Sequence, residues 1–261
     1  MLSKFMKNSG LAIAALGAAM IGGMQAYAAD GDTFTGNIGV FSKYVLRGIT
    51  ESPENNDTAV QGGLDYSFAN GIYLGYWGSN LGYRWDPDNN NDQHNDSGFE
   101  NDFYAGYNGK VGDFGYQIGL IQYYYMNVDD SNLEEALLGI SYGPVYAGMQ
   151  YLLRDGYWGN QGDIYWKAGI NYDLPRHFKF NGELGWYTYE KDDNDKLGTK
   201  IAGLKTTESS AFRYVTLTLS HPIGNTGADM LLTYIIGGRD RTGDKQGNTA
   251  VLGVKFNFDV T

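Results

Sequence analysis

Thr249–Asp259 reads TAVLGVKFNFD. Ala250, Leu252, Val254, Phe256 and Phe258 share one parity; Val251, Gly253, Lys255, Asn257 and Asp259 share the other. A period of two sorts residues onto two faces only in an extended strand. One face is apolar and ends in two aromatics, and the other carries a lysine, an asparagine and an aspartate. Grease on one side and charge on the other suit the wall of a membrane-spanning barrel, whose outside meets lipid and whose inside meets water. Such a wall must close on itself, so the last strand needs a first strand as its partner.

Working back from that stretch, turn signals and alternation predict strands over residues 33–49, 59–68, 72–81, 99–108, 114–126, 133–142, 145–154, 164–174, 178–189, 212–220 and 229–236. The alternation over 164–174 is the cleanest: Ile164, Trp166, Ala168, Ile170 and Tyr172 oppose Tyr165, Lys167, Gly169, Asn171 and Asp173. Over 33–49, Phe34, Ile38, Val40, Tyr44 and Leu46 form the apolar parity, but Phe41 and Val45 interrupt the polar one. With the terminal stretch the count is about twelve, even as in single-chain outer-membrane barrels. The lengths suit the roughly 9–11 residues that cross an apolar layer at a tilt. The connections alternate too. Those at 84–98, 190–208 and 237–247 are long and charged, whereas 69–71 (with the hairpin pair Asn70-Gly71), 109–113, 143–144 and 175–177 are tight. Segregation of loop length by parity is a barrel property, with short turns in the periplasm and long loops outside. A β-sandwich or lipocalin-like barrel, which buries its apolar stripe, gives no reason for it. The expected fold is therefore an all-β, transmembrane, antiparallel up-and-down β-barrel with both termini periplasmic.

The chain opens MLSKFMKNSGLAIAALGAAMIGGMQAYAAD. Lys4 and Lys7 make a basic start, an Ala/Gly-rich apolar run follows, and Ala26-Tyr27-Ala28 supplies a small-x-small cleavage site. Residues 1–29 read as a secretory signal peptide and 30–261 as the barrel domain. Beyond the leader no apolar run approaches the length of a membrane helix, and mean hydropathy is −0.39. Glycine (38) and tyrosine (22) are abundant and proline (5) is scarce, which favours strands over helices. Cys is 0, which excludes a disulfide framework, a thiolate metal site and a cysteine nucleophile. The net charge of −11 argues against nucleic acid as a partner.

Three segments resemble a known family: GVFSKYVLRGITES (39–52), AVQGGLDYSFANGIYLGYWGSN (59–80) and ENDFYAGYNGKVGDFGYQIGL (100–120). They are similar to proteobacterial exported proteins labelled the TorF family of porins, formerly of unknown function. The resemblance is strong over the first half of the mature chain and looser beyond it. It implies an outer-membrane barrel and a channel in a Gram-negative bacterium, and it names no solute. The terminal Gly253-x-x-Phe256-x-Phe258 also resembles the signal read by outer-membrane insertion machinery. It departs at Val251, where a polar residue is usual, and in the residues that trail the last aromatic.

If the apolar parity meets lipid, the other lines the lumen. That places Lys43, Arg47, Asp65, Tyr165, Lys167, Asn171, Lys179, Glu183 and Lys255 inside; a cation facing hydrocarbon is costly, which favours the same assignment. Mixed charges around a water-filled lumen tune ion and solute preference. The expected activity is passive diffusion of small hydrophilic solutes or ions. The alternative is a non-conducting structural or adhesive barrel, its lumen plugged by ion pairs, binding a partner or calcium through acidic external loops. Asp86-x-Asp88-x-Asn90-x-Asp92 imitates the start of a calcium loop, but Asn91 and Ser97 stand where such a loop needs glycine and glutamate, so no metal site is assigned. Of His94, His177 and His221, none joins a serine motif or a strand-borne carboxylate cluster, so the chain is not read as an enzyme and no cofactor is expected. The expected partners are outer-membrane lipid and lipopolysaccharide, the insertion machinery and small hydrophilic solutes.

Overall fold

The computed structural model describes residues 31–50, 57–84, 98–191 and 206–260. The leader expected over 1–29, the calcium-like run at Asp86–Asp92 and His94 lie outside them.

Twelve antiparallel strands form one closed barrel: β1 (Thr33–Phe41), β2 (Ala59–Ser67), β3 (Ile72–Asn80), β4 (Phe99–Val111), β5 (Phe114–Met126), β6 (Leu133–Tyr142), β7 (Val145–Leu152), β8 (Ile164–Asp173), β9 (Lys179–Thr188), β10 (Ser210–Pro222), β11 (Ala228–Gly237) and β12 (Thr249–Asp259). Each strand pairs with its sequence neighbours, and β1 pairs with β12 to close the ring, Ile38 facing Phe256 and Val40 facing Val254. At that seam Phe41 faces Gly253 and its ring covers the glycine, leaving no room for a Cβ. Closure leaves no unpaired edge in the wall.

Alternation decides which way each residue points. On β12, Val251, Gly253 and Lys255 are buried, while Leu252 is 59% exposed and Val254 46%. The same apolar outward row continues round the barrel through Leu74, Leu120, Ile140, Trp166, Leu217 and Met230. Soluble monomers do not carry a continuous apolar belt of this kind. Aromatics cluster at both rims of the outer face. Phe114 and Tyr142 (ring centroids 4.7 Å apart) and Phe256 and Phe258 (5.8 Å) stand at the short-turn end, and Tyr76 with Phe103 (5.3 Å) towards the other.

The two ends differ in construction. Short connections lie at one end: the bonds Phe68 N–H to Ile72 O (2.8 Å) and Gly71 N–H to Phe68 O (2.9 Å) close the first, with Gly71 at φ 94°. A 3-10 turn over Pro175–His177 makes another. Asp32, just before β1, accepts from Ala69 N–H (3.0 Å) and the Tyr66 hydroxyl (2.8 Å), tying the start of the wall to the first hairpin. These two donors hold its carboxyl below the usual aspartate range. The longer connections all sit at the opposite end.

Two expectations are corrected. The first strand stops at Phe41 rather than running to residue 49, so Tyr44 and Leu46 do not stand on the outer wall; Tyr44 is 2% exposed and buried inside. The break in alternation at Phe41 and Val45 marks this departure. On β10 the register shifts between Phe212 and Tyr214, so Arg213 and Tyr214 are consecutive and both buried. A bulge lets two successive residues leave the wall on the same side.

Candidate functional site: a charged brace across the lumen

After Phe41 the chain leaves the wall. Ser42 N–H still bonds Leu252 O (2.8 Å) and its Oγ accepts from Leu252 N–H (3.0 Å). Beyond that, residues 43–50 fold into the barrel. A tight turn closes with Ile49 N–H to Leu46 O (2.8 Å), and its central residues, Arg47 (φ 45°) and Gly48 (φ 75°), both have positive φ. That is the signature of a mirror-image turn, and for a non-glycine residue it costs on the order of 1 kcal/mol. Gly48 also packs where a Cβ would lie 2.6 Å from Tyr214 Cβ. Thr50 returns the segment to the β11–β12 connection, through Gln246 Oε1 (3.2 Å) and Gly247 O (2.8 Å).

The turn aims Arg47 at the wall opposite β1. Its Nη1 and Nη2 donate to Glu135 Oε1 (2.8 Å) and Oε2 (2.6 Å), a bidentate pair. Nη1 also reaches the Tyr187 hydroxyl (2.7 Å); Nη2 reaches the Tyr123 hydroxyl (2.9 Å) and Gln150 Oε1 (3.1 Å). The guanidinium carbon lies 4.4 Å from the Tyr165 ring centroid, within cation–π range. Tyr123 in turn donates to Glu135 Oε2 (2.8 Å). Five groups from β5 to β9 thus converge on one side chain from β1's end of the chain. Arg47 Nε has no hydrogen-bond partner among the described residues.

Two carboxylate sites flank this brace. Glu100 on β4 is fully buried and accepts from the hydroxyls of Tyr44 and Tyr125 (3.0 Å to the latter), with Asp102 also fully buried one inward position along. Glu183 on β9 accepts from Tyr214 (2.6 Å) and Tyr146 (2.8 Å) and sits 3.8 Å from Lys167 Nζ. Tyr165 and Tyr214 share a hydroxyl–hydroxyl bond that links the brace to Glu183. A cavity of ≈ 10 Å³, about the space of one water, lies beside Arg47, Gly48, Glu183 and Tyr214.

The other residues named from the sequence are distributed as follows. Asp65 accepts from the Tyr104 hydroxyl (2.6 Å), and Lys255, buried, has Asp65 and Asp229 as its neighbouring carboxylates. Asn171 Oδ1 accepts from Asn181 Nδ2 (2.9 Å). Lys179 is half-buried beside the short turns, paired in register with Asp173 and Ser220, and is not part of the brace. Lys43 donates to Thr249 Oγ1 (3.0 Å) at the start of β12. His177 and His221 both lie at the short-turn end, where His221 Nε2 meets Arg176 O (3.1 Å). Sequence reasoning missed Tyr44, Glu100, Asp102, Tyr123, Glu135, Gln150 and Tyr214. Alternation within β4 and β6 carried the signal, since Glu100 and Asp102 share one parity there and Glu135 shares its parity with Leu133 and Leu137. Leucines inside the barrel blurred that pattern.

The long-loop end is also tied by charge. Arg241 pairs with Asp163, stacks 4.9 Å from the Tyr189 ring and donates to Thr206 Oγ1 (2.9 Å). Asp163 accepts from the backbone N–H groups of Asn160 (2.9 Å) and Glu190 (2.8 Å). Burial pushes its carboxyl above the usual aspartate value, against the pull of Arg241 and these amides.

A family model described as "Bacterial protein of unknown function (Gcw_chp)" matches residues 25–209. No curated protein matches the sequence. Among solved structures the barrel is similar to a KdgM porin, with a TM-score of 0.52 and 11% identity over 86% of this chain and 99% of that one. It is also similar to a KdgM porin in complex with disordered oligogalacturonate, with a TM-score of 0.50 and 11% identity over 87% of this chain and 99% of that one. At this identity the likeness concerns the fold.

Proposed function

The chain belongs to the Gcw_chp family of bacterial proteins of unknown function, and we propose that this member is an outer-membrane channel for passive diffusion of small hydrophilic solutes or ions. The observation that carries this reading is the sorting of the wall: an apolar outer face bounded by aromatics, and an inner face of carboxylates, cations and tyrosine hydroxyls. The porin architecture of the similar structures and the sequence resemblance to the TorF family agree with it. Residues 1–29 serve as the export signal, 30–261 form the barrel, and both termini face the periplasm. Gly253, Phe256 and Phe258 present the assembly signal on the closing strand. The outer face meets membrane lipid and the long-loop rim meets lipopolysaccharide. No catalytic step is assigned.

The Arg47 brace makes the constriction. It narrows the lumen at the long-loop half, so the channel passes small solutes and has a low conductance. The test is planar-bilayer recording of the refolded mature chain in a salt gradient. Discrete small steps are expected, with a reversal potential that shifts on charge reversal at Lys167. A folded, heat-modifiable barrel that gives no steps at any voltage overturns the reading and leaves a non-conducting structural barrel in its place.

A further inference from the structure

The groups around Arg47 form a receptor for a flat cation, and the chain fills it with a side chain of its own. Glu135 offers two coplanar oxygens, Tyr123, Tyr187 and Gln150 offer three more acceptors, and Tyr165 offers a ring face. All five come from β5 to β9, so the receptor is carried by the wall and not by the segment that delivers Arg47. A carboxylate fork with an aromatic floor matches a guanidinium, which is planar and donates in parallel pairs; an ammonium has a tetrahedral donor set and satisfies fewer of these acceptors. A carboxylate or sulfate solute meets Glu135 with like charge.

The tethered occupant does not fit fully. Its Nε is buried without an acceptor among the described residues, and its backbone sits at positive φ beside Gly48. A free guanidinium compound carries no such backbone and is free to turn its third nitrogen in the site. On the channel reading given above, we infer that the lumen holds a binding site for guanidinium solutes on Glu135, Tyr123, Gln150, Tyr165 and Tyr187, with Arg47 as a tethered, displaceable occupant. A solute entering from the long-loop side exchanges with Arg47 and so loosens the constriction it must pass.

The experiment uses the refolded mature chain in detergent and in bilayers, with methylguanidinium as the probe and methylammonium and sodium as controls. In Arg47→Ala the receptor is vacant. Methylguanidinium is expected to raise its thermal unfolding temperature and to block its enlarged conductance steps, while the controls at equal concentration do little. Adding Glu135→Gln is expected to weaken that binding at least roughly tenfold, the scale of a charge-assisted hydrogen bond. Arg47→Gln, which keeps most of the side-chain length, replaces Arg47→Ala if the latter does not fold. On the unaltered chain, methylguanidinium should displace the tethered group and speed hydrogen exchange at Arg47 Nη; an unresponsive signal overturns the inference even if neither variant folds. Conductance without stabilisation or block overturns the site and leaves the channel standing. Stabilisation that depends on Glu135 in a barrel that never conducts supports the site and overturns the channel.

Discussion

Arg47 and Glu135 show how much one buried pair can hold. The two side chains are 10% and 5% exposed, and removing either partner strands the other's charge in a place with little water. Breaking such a pair typically costs about 3–5 kcal/mol. Arg47→Ala and Glu135→Gln should therefore each lower stability by roughly that range in urea titrations of the refolded barrel, and the double variant should lose much less than the sum. An additive double variant would show that the two side chains act separately. Sequence reasoning reached Arg47 through the parity of a strand that does not extend so far. The partners were harder to read. Glu135 shares its face with Leu133 and Leu137, both buried, and in a barrel whose interior holds leucine the simple division of apolar outside and polar inside fails locally.

At the scale of elements, legibility followed the purity of alternation. β8 and β12 read directly because each polar parity is free of large aliphatic residues apart from Val251. β1 runs shorter than its pattern because Tyr44 and Leu46 have the apolar character of outward residues, which outweighs the break at Phe41 and Val45, yet they belong to a segment inside the barrel whose hydrogen bonds run to the β11–β12 connection. The β10 bulge is likewise invisible to a period-two reading, which has no place for an inserted residue. A smaller tie at the short-turn end gives a pH test. The Asp32 carboxyl is held below its unfolded value, so its contribution is present above that value, about 4, and is lost as pH falls through the lower folded value. Protection of the Ala69 amide, taken relative to its intrinsic exchange rate at each pH, should be present at pH 5, fall on further acidification below about pH 4, and lose this dependence in Asp32→Asn. An Ala69 amide that exchanges at its intrinsic rate at pH 5 would show that the tie does not protect it.

For the whole molecule, the outward apolar row makes lipid part of the folding environment. Leu120, in the middle of β5 and 58% exposed, should tolerate arginine in a water-soluble barrel. In a bilayer the same change near mid-depth costs about 2–4 kcal/mol. Leu120→Arg is thus expected to cut folding stability by that amount in vesicles, measured by tryptophan fluorescence during denaturant titration; a neutral effect would count against immersion of this face. The overall architecture was readable from strand number, loop parity and the terminal stretch because each of those is fixed by closure. The filling of the lumen was not, since it depends on where the segment 43–50 goes after the wall has released it.

The seam between β1 and β12 has a consequence for timing. The first strand to be synthesised waits for β12, so the ring cannot be completed while any of the wall is still to come. Until Thr249–Asp259 arrives, β1 and β11 each offer a bare row of donors and acceptors. A molecule cut short there would differ from a finished one in more than length: it would be adhesive along two lines, open to pairing with any strand it met. Placing the two ends of the wall side by side therefore makes completeness of the wall a physical condition of its release as a separate, inert particle.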